Sequence, residues 1–339
     1  MKRIVTIAII LAGVVFTGFT LEQEPISDET PVFEVLDQLG QTMPDHFIAN
    51  PDPDKVHKGY ELVHFGRTDD PNGGMSKFIS KFYVCTDCHN QVREDPDIAN
   101  PSPEARLKHA IKNDLKFLQS TTFWGMVNRE TFYNDDYEKK YGALVDKART
   151  SLAESTQLCA KECSSGRYLE DWELECILHY YMTLQLKMGD LDLSAKEIKK
   201  FANASGLKDK ERAKDKLKSR YTTASHAHFG DWPANTTEGY ANTDDGDPKL
   251  GEAIYEHSCM TCHRMYGPSQ LVLDKSELTF NKFVKHMTMN TKFNLYEITR
   301  KGTYAEPGHR QYMPMYPLER LSNQQVEHLR AYIESQAAS

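Results

Sequence analysis

The 339-residue chain is short of several features, and each shortage narrows what it can be. It has no apolar run long enough for a membrane-spanning helix. The one uncharged stretch, Ile4 to Phe19, stops short of the roughly 20 residues that a bilayer crossing takes. It has no excess of positive charge, with 41 Lys and Arg against 49 Asp and Glu for a net −8. A nucleic-acid partner needs a basic surface that displaces counterions, so none is expected. No cysteine follows the apolar stretch, which leaves no attachment point there for a lipid anchor. No internal repeat is visible beyond two short motifs described below.

What is present suits a globular protein: 39% hydrophobic and 27% charged residues, in a length that fits two modest domains. Lys2 and Arg3 precede the apolar stretch, and Gly18-Phe19-Thr20 offers small residues for cleavage. Residues 1–20 therefore read as a signal peptide or an uncleaved N-terminal anchor, with the bulk of the chain expected in the periplasm. Midway, Ala195 to Arg220 holds ten Lys and Arg against four Asp and Glu. Residues 191–244 read as a basic linker, opened by a Ser194–Glu197 capping box and otherwise solvated. His226 and His228 make an H-x-H pair, read as surface histidines.

The seven cysteines lie at 85, 88, 159, 163, 176, 259 and 262. Cys85-Thr86-Asp87-Cys88-His89 and Cys259-Met260-Thr261-Cys262-His263 are both C-x-x-C-H, the attachment sequence for haem c. Two thiols about a turn apart can add to the two vinyl groups of one porphyrin, and the next histidine then sits under the iron. Chance would supply on the order of 0.005 copies in a chain of this composition, and here there are two. Zinc would want two further ligands clustered at each motif, and neither has them nearby. Two covalently bound haem c groups are expected, on Cys85, Cys88 and His89 and on Cys259, Cys262 and His263.

Ahead of the second motif, Lys249 to Tyr255 is a short helical pattern with Gly251 and Tyr255 four apart. Near the C-terminus, Ser322-Asn323-Gln324-Gln325 is a capping box, followed by Val326, Leu329 and Ile333 on one helix face. A first helix crossing a last helix with C-x-x-C-H between them resembles the class I cytochrome c fold over residues 245–339. That resemblance implies a sixth ligand on the loop before the last helix, where Tyr312-Met313-Pro314-Met315-Tyr316 stands. Met313, followed by proline, matches the family best and Met315 is its rival. Met287 and Met289 precede the loop by more than twenty residues. A thioether there raises the haem potential.

The first motif is preceded by Lys58-Gly59-Tyr60-Glu61-Leu62-Val63, similar in kind, but no Met-Pro follows it at the usual distance; Met126 is the nearest methionine candidate. A helix expected over about Tyr168 to Lys187, with Gly189 at its stop, closes this unit at residues 27–190. The predicted fold is therefore all-α, two class I cytochrome c-like domains. Between motif and last helix the chain runs through Phe123-Trp124-Gly125-Met126-Val127-Asn128-Arg129 and Leu158-Cys159-Ala160-Lys161-Glu162-Cys163, with Gly166 seven residues after Cys159. This order resembles the bacterial dihaem thiosulfate dehydrogenases and the haem subunit of the Sox thiosulfate-oxidising system.

The resemblance implies that Cys159 binds the first iron through sulfur, opposite His89, and takes part in catalysis on a small sulfur anion. Electrons would pass to the methionine-ligated second haem and on to a soluble cytochrome or a membrane respiratory complex. Two positions depart from the family: Ser155 replaces an arginine and Cys163 replaces a serine. Arg129, Lys147, Arg149 and Arg167 are the basic residues near enough to stand in. With Cys159 as ligand, Cys163 and Cys176 remain as a disulfide or as buried thiols. His179 reads as a hydrogen-bonded interior histidine. A plain electron shuttle is the rival function, and a dihaem peroxidase a distant third.

Overall fold

The computed structural model describes residues 25–289, 294–303 and 313–337. The expected signal or anchor at residues 1–20 lies outside them. Among the described residues the chain is all-helical, with two isolated β-bridges and no strand. No helix there is long and apolar enough to cross a membrane.

Helix α1 (Val32–Gln38) buries Val32, Phe33, Val35 and Leu36. Helix α2 (Pro53–Phe65) starts where Asp52 accepts hydrogen bonds from the Asp54 and Lys55 amides, with Pro53 pre-set in its first turn. It stops at Gly66, whose φ of 72° is left-handed. Helix α3 (Pro103–Asn113) is capped by Ser102. Helices α4 (Asp135–Tyr141), α5 (Val145–Ala148) and α6 (Leu152–Leu158) lead into a wide turn, Cys159–Cys163, in which the Ser164 amide donates to the Cys159 carbonyl over 3.0 Å. Such five-residue turns are frequent at functional sites.

Helix α7 (Asp171–Met182) is shorter than the Tyr168–Lys187 span expected of it. Beyond Met182 the backbone finds other partners: the Leu186 amide donates to Asn128 Oδ1, and the Val32 amide donates to the Leu186 carbonyl. These bonds tie the segment to the chain's own start instead of prolonging the helix. The α7 N-terminus is held by Glu173, fully buried, which accepts two 2.6 Å bonds from Arg167.

Helices α8 (Ala195–Ala202) and α9 (Leu207–Lys218) occupy the basic stretch. The Ser194–Glu197 capping box forms as read. The solvated linker does not: Phe201, Ala213, Leu217 and Tyr221 are buried in the first core. Phe201 follows Ile198 by three residues and Leu217 follows Ala213 by four, so one face packs while Lys196, Lys199, Lys200 and Lys216 stay in water.

In the second half come α10 (Pro248–Ile254), α11 (Met260–His263), α12 (Glu277–Met287), α13 (Leu295–Lys301) and α14 (Asn323–Ala337). Ser322 and Gln325 make the expected reciprocal cap on α14. Tyr255, Phe280 and Tyr332 meet with ring centroids 5.5–5.6 Å apart at the centre of this core.

The two halves share one construction. A Cβ on Gly251 of α10 would lie 1.9 Å from the His328 carbonyl oxygen and 2.7 Å from Tyr332 Cβ on α14. A Cβ on Gly59 of α2 would lie 2.1 Å from the Cys176 carbonyl oxygen and 2.8 Å from Tyr180 Cβ on α7. In both, a glycine lets the first helix touch the backbone of the last, against a tyrosine one turn further on. The halves are also fused. Leu107 and Ala110 of α3, with Phe117, pack into the second core. The Phe117 amide donates to the His257 carbonyl at 2.7 Å, and Arg320 pairs with buried Glu94 at 2.8 Å.

Candidate functional site

Each C-x-x-C-H motif opens onto its own pocket. The first, a cavity of about 160 Å³, is lined by Cys85, Cys88 and His89 together with Met126, Arg129, Tyr133, Ser155, Cys159 and Cys163. The second, a cavity of about 60 Å³, is lined by Cys259, His263 and Met313, with Tyr255, Leu271, Leu295 and Tyr316 among its apolar walls.

The histidines are oriented alike. His89 Nδ1 lies 2.5 Å from the Thr121 carbonyl oxygen, and His263 Nδ1 lies 2.8 Å from that of Leu271. A carbonyl only accepts, so each Nδ1 carries the proton and each Nε2 is left as a lone-pair donor, the tautomer a metal requires. Burial lowers His89 to about 4, against the Thr121 bond that raises it, and burial likewise lowers His263. Both rings are neutral near pH 7, as ligation demands. Phe123 stacks on the His89 ring at 4.3 Å and fixes its plane.

Met313 is set by a short local pairing. Its amide donates to Thr303 Oγ1 at 2.6 Å, and its carbonyl accepts from the Thr303 amide at 3.0 Å. Gly302, at φ 68°, makes room, since a Cβ there would meet the Met313 carbonyl oxygen at 2.2 Å. Tyr316 follows, its hydroxyl 2.6 Å from Ser258 Oγ. Met315 does not line the second pocket. Met287 is buried in the core and Met289 is 37% exposed. The Cys259 thiol, an oriented imidazole and a thioether line one apolar pocket, with Cys262 beside it in the same motif; these residues would hold a haem c, which would supply one-electron exchange.

The first pocket has the same thiols and imidazole but a different far wall. Cys159 lines it, and its thiol is in hydrogen-bond contact with that of Cys163. Of the two alternatives for Cys163 and Cys176, the disulfide does not form among the described residues. Cys176 is buried at the α2–α7 crossing against Gly59, while Cys163 turns into the pocket. The pair titrates as a unit. The hydrogen bond from Cys159 lowers Cys163 to about 7 against burial, and the Tyr141 and Tyr133 hydroxyls and Lys140 add to the effect. Cys159 is raised by that same bond and by burial.

Of the four basic residues considered as stand-ins, only Arg129 lines this pocket. Arg149 is paired with Asp135 and Glu138, Arg167 with Glu173, and Lys147 is exposed. Among the described residues no carboxylate or acceptor engages the Arg129 guanidinium. Burial and the nearby Arg320 charge lower it to about 10, so it remains a cation in search of an anion. His179 accepts from the Asp52 amide at 3.0 Å, a structural role as expected. His228 is exposed beside Asp136, and His226 is part-buried with Nδ1 unpartnered; the described residues hold no cluster that would bind a metal.

The two pockets adjoin. The Met313-Pro314 dipeptide serves both, Met313 lining the second and Pro314 the first. The Cys88 thiol, raised by burial, is raised further by the Cys262 thiol of the other motif. Neither contact is visible in sequence, where 169 residues separate the motifs.

Residues 246–333 match the family model for cytochrome C oxidase, cbb3-type, subunit III. The chain carries a cytochrome c domain. No curated protein matches the chain. The cytochrome c domain takes in α10 to α13, the second motif, Met313 and most of α14, and its family binds haem c covalently and transfers electrons. The sequence named Cys163 and Pro314 without placing them on the first pocket, and the Glu94–Arg320 pair was missed altogether. Only Cys163 carried a signal: four residues after Cys159 it falls on the same helix face.

Proposed function

We propose that the chain is an exported cytochrome with two haem c groups, the first acting on a small sulfur oxyanion such as thiosulfate or tetrathionate and the second serving redox-partner proteins. One observation carries this reading: the His89 imidazole, the Cys159 and Cys163 thiols and the Arg129 guanidinium, which has no ion-pair partner among the described residues, all line one pocket. Haem c at each motif supplies one-electron exchange at iron. Cys159 is the sulfur donor facing His89, as the resemblance to the dihaem thiosulfate dehydrogenases implies. Arg129 takes over the anion-holding role of the arginine that Ser155 replaces; a planar guanidinium binds an oxyanion through paired N–H donors.

The direction of flow is from the first pocket to the second, because a thiolate donor lowers the potential of iron and a thioether raises it. The second pocket has an outlet to a partner. Leu271 lines it, accepts the His263 hydrogen bond, and is itself 59% exposed. Met265, Tyr266 and Val272 beside it are exposed too, an apolar rim suited to a transient protein contact.

Steady-state assays with thiosulfate, tetrathionate and sulfite test the proposal. Turnover of at least one is expected, with Arg129→Gln raising KM tenfold or more while the haem spectrum stays unchanged. Absence of turnover with all three leaves the second reading, an electron shuttle or respiratory-complex subunit, which the matched oxidase-subunit family favours.

A further inference from the structure

We propose that Cys159 and Cys163 form a dithiol–disulfide centre, closing under oxidation to an intramolecular disulfide that withdraws Cys159 from the first pocket's donor set. The two residues begin and end the wide turn after α6, where the Ser164 amide reaches back to the Cys159 carbonyl at 3.0 Å. One turn of chain places both side chains on one face. Their thiols already touch through a hydrogen bond, so bond formation needs a closure of the sulfurs to about 2.05 Å and no movement of separate elements. Tyr141 Oη at 3.6 Å and Tyr133 Oη at 3.9 Å steady the Cys163 sulfur from its other side. Both cysteines are part-exposed on a pocket wall, whereas Cys176 is buried between helices and out of reach of reagents.

With a low-molecular-weight disulfide as oxidant the chemistry closes. The Cys163 sulfur attacks one sulfur of the reagent, the reagent's S–S bond breaks, and the first thiol departs with the Cys163 proton. The Cys159 sulfur then attacks the Cys163 sulfur and expels the second thiol with its own proton. Two cysteine thiols lose two electrons and two protons, and one disulfide becomes two thiols. The first pocket thereby follows the thiol redox poise of its compartment. The loss of a ligand rests on the reading of Cys159 as donor; the disulfide itself does not.

The haem-loaded protein is treated with oxidised glutathione, then with dithiothreitol, with free thiols alkylated and the chain digested with trypsin at each stage. Lys161 lies between the two cysteines, so the disulfide joins the peptide Thr150–Lys161 to Glu162–Arg167. The linked pair is expected after oxidation and is lost on reduction, while low-temperature EPR shows the thiolate-type signal disappear and return. Cys163→Ser is expected to form no link and to keep its signal under oxidant; Cys176→Ser is expected to behave as the natural chain. Recovery of both cysteines alkylated, or of Cys163 joined only to glutathione or to Cys176, overturns the proposal. A linked pair without a spectral change upholds the centre and overturns Cys159 as ligand.

Discussion

Gly251→Ala places a methyl carbon 1.9 Å from the His328 carbonyl oxygen, and Gly59→Ala places one 2.1 Å from that of Cys176. Ordinary contact begins near 3.5 Å, so each pair of helices must part by about 1.5 Å. The atom met is backbone and cannot swing aside. In an isolated helix the same change would stabilise by about 0.8–1 kcal/mol. Overpacking typically costs about 1–3 kcal/mol, and a backbone clash belongs at the upper end. A net loss of about 2 kcal/mol is therefore expected at each crossing, which lowers Tm by roughly 4–8 °C at the size of residues 27–190 and by roughly 8–16 °C at that of residues 245–339. Gly40→Ala is the control: at φ 80° with nothing within 4 Å of its Cβ, it meets left-handed strain alone, about 1 kcal/mol. Thermal unfolding followed by circular dichroism and by haem absorption reads all three. Were Gly251→Ala or Gly59→Ala to melt within about 1 °C of the natural protein, or above Gly40→Ala, the argument for matched helix crossings would fail.

Glu94→Gln removes the carboxylate from between Arg320 and Arg106 and leaves two buried guanidinium groups uncompensated, an expected loss of about 3–5 kcal/mol in urea unfolding. Burial pushes the Glu94 carboxyl up, but the two arginines outweigh it and hold it below its ordinary 4.5. Its contribution is then complete above pH 4.5 and is lost as pH falls through the lower folded value. Stability measured against pH is expected to drop in that acid window for the natural chain and to drop less for Glu94→Gln. Met313→Ala is expected to lower the potential of the second haem in a redox titration while Met315→Ala leaves it in place; the reverse result would move the ligand to Met315.

Legibility followed distance along the chain. The C-x-x-C-H motifs, the Ser322–Gln325 cap and the Ser194–Glu197 cap each lie within about one turn of backbone, where residue spacing and geometry are nearly the same thing. The all-helical class was readable too, because apolar spacing on α14 repeats with the helix. The ends of α7 were not, since the Leu186, Met188 and Gly189 amides are satisfied by Asn128, Thr30 and Asp28. Nor was the fate of the basic stretch, whose apolar face found the first core.

By itself, then, the sequence determined the covalent chemistry: two paired thiols, each followed by a histidine, and a Met-Pro before a capped last helix. Tertiary structure alone decided which spare cysteine reached the first pocket. It also decided which of four cations lines the first pocket, and that one Met-Pro dipeptide would serve both pockets. These outcomes depend on which faces remain after the helices have packed, and packing is settled between segments a hundred or more residues apart.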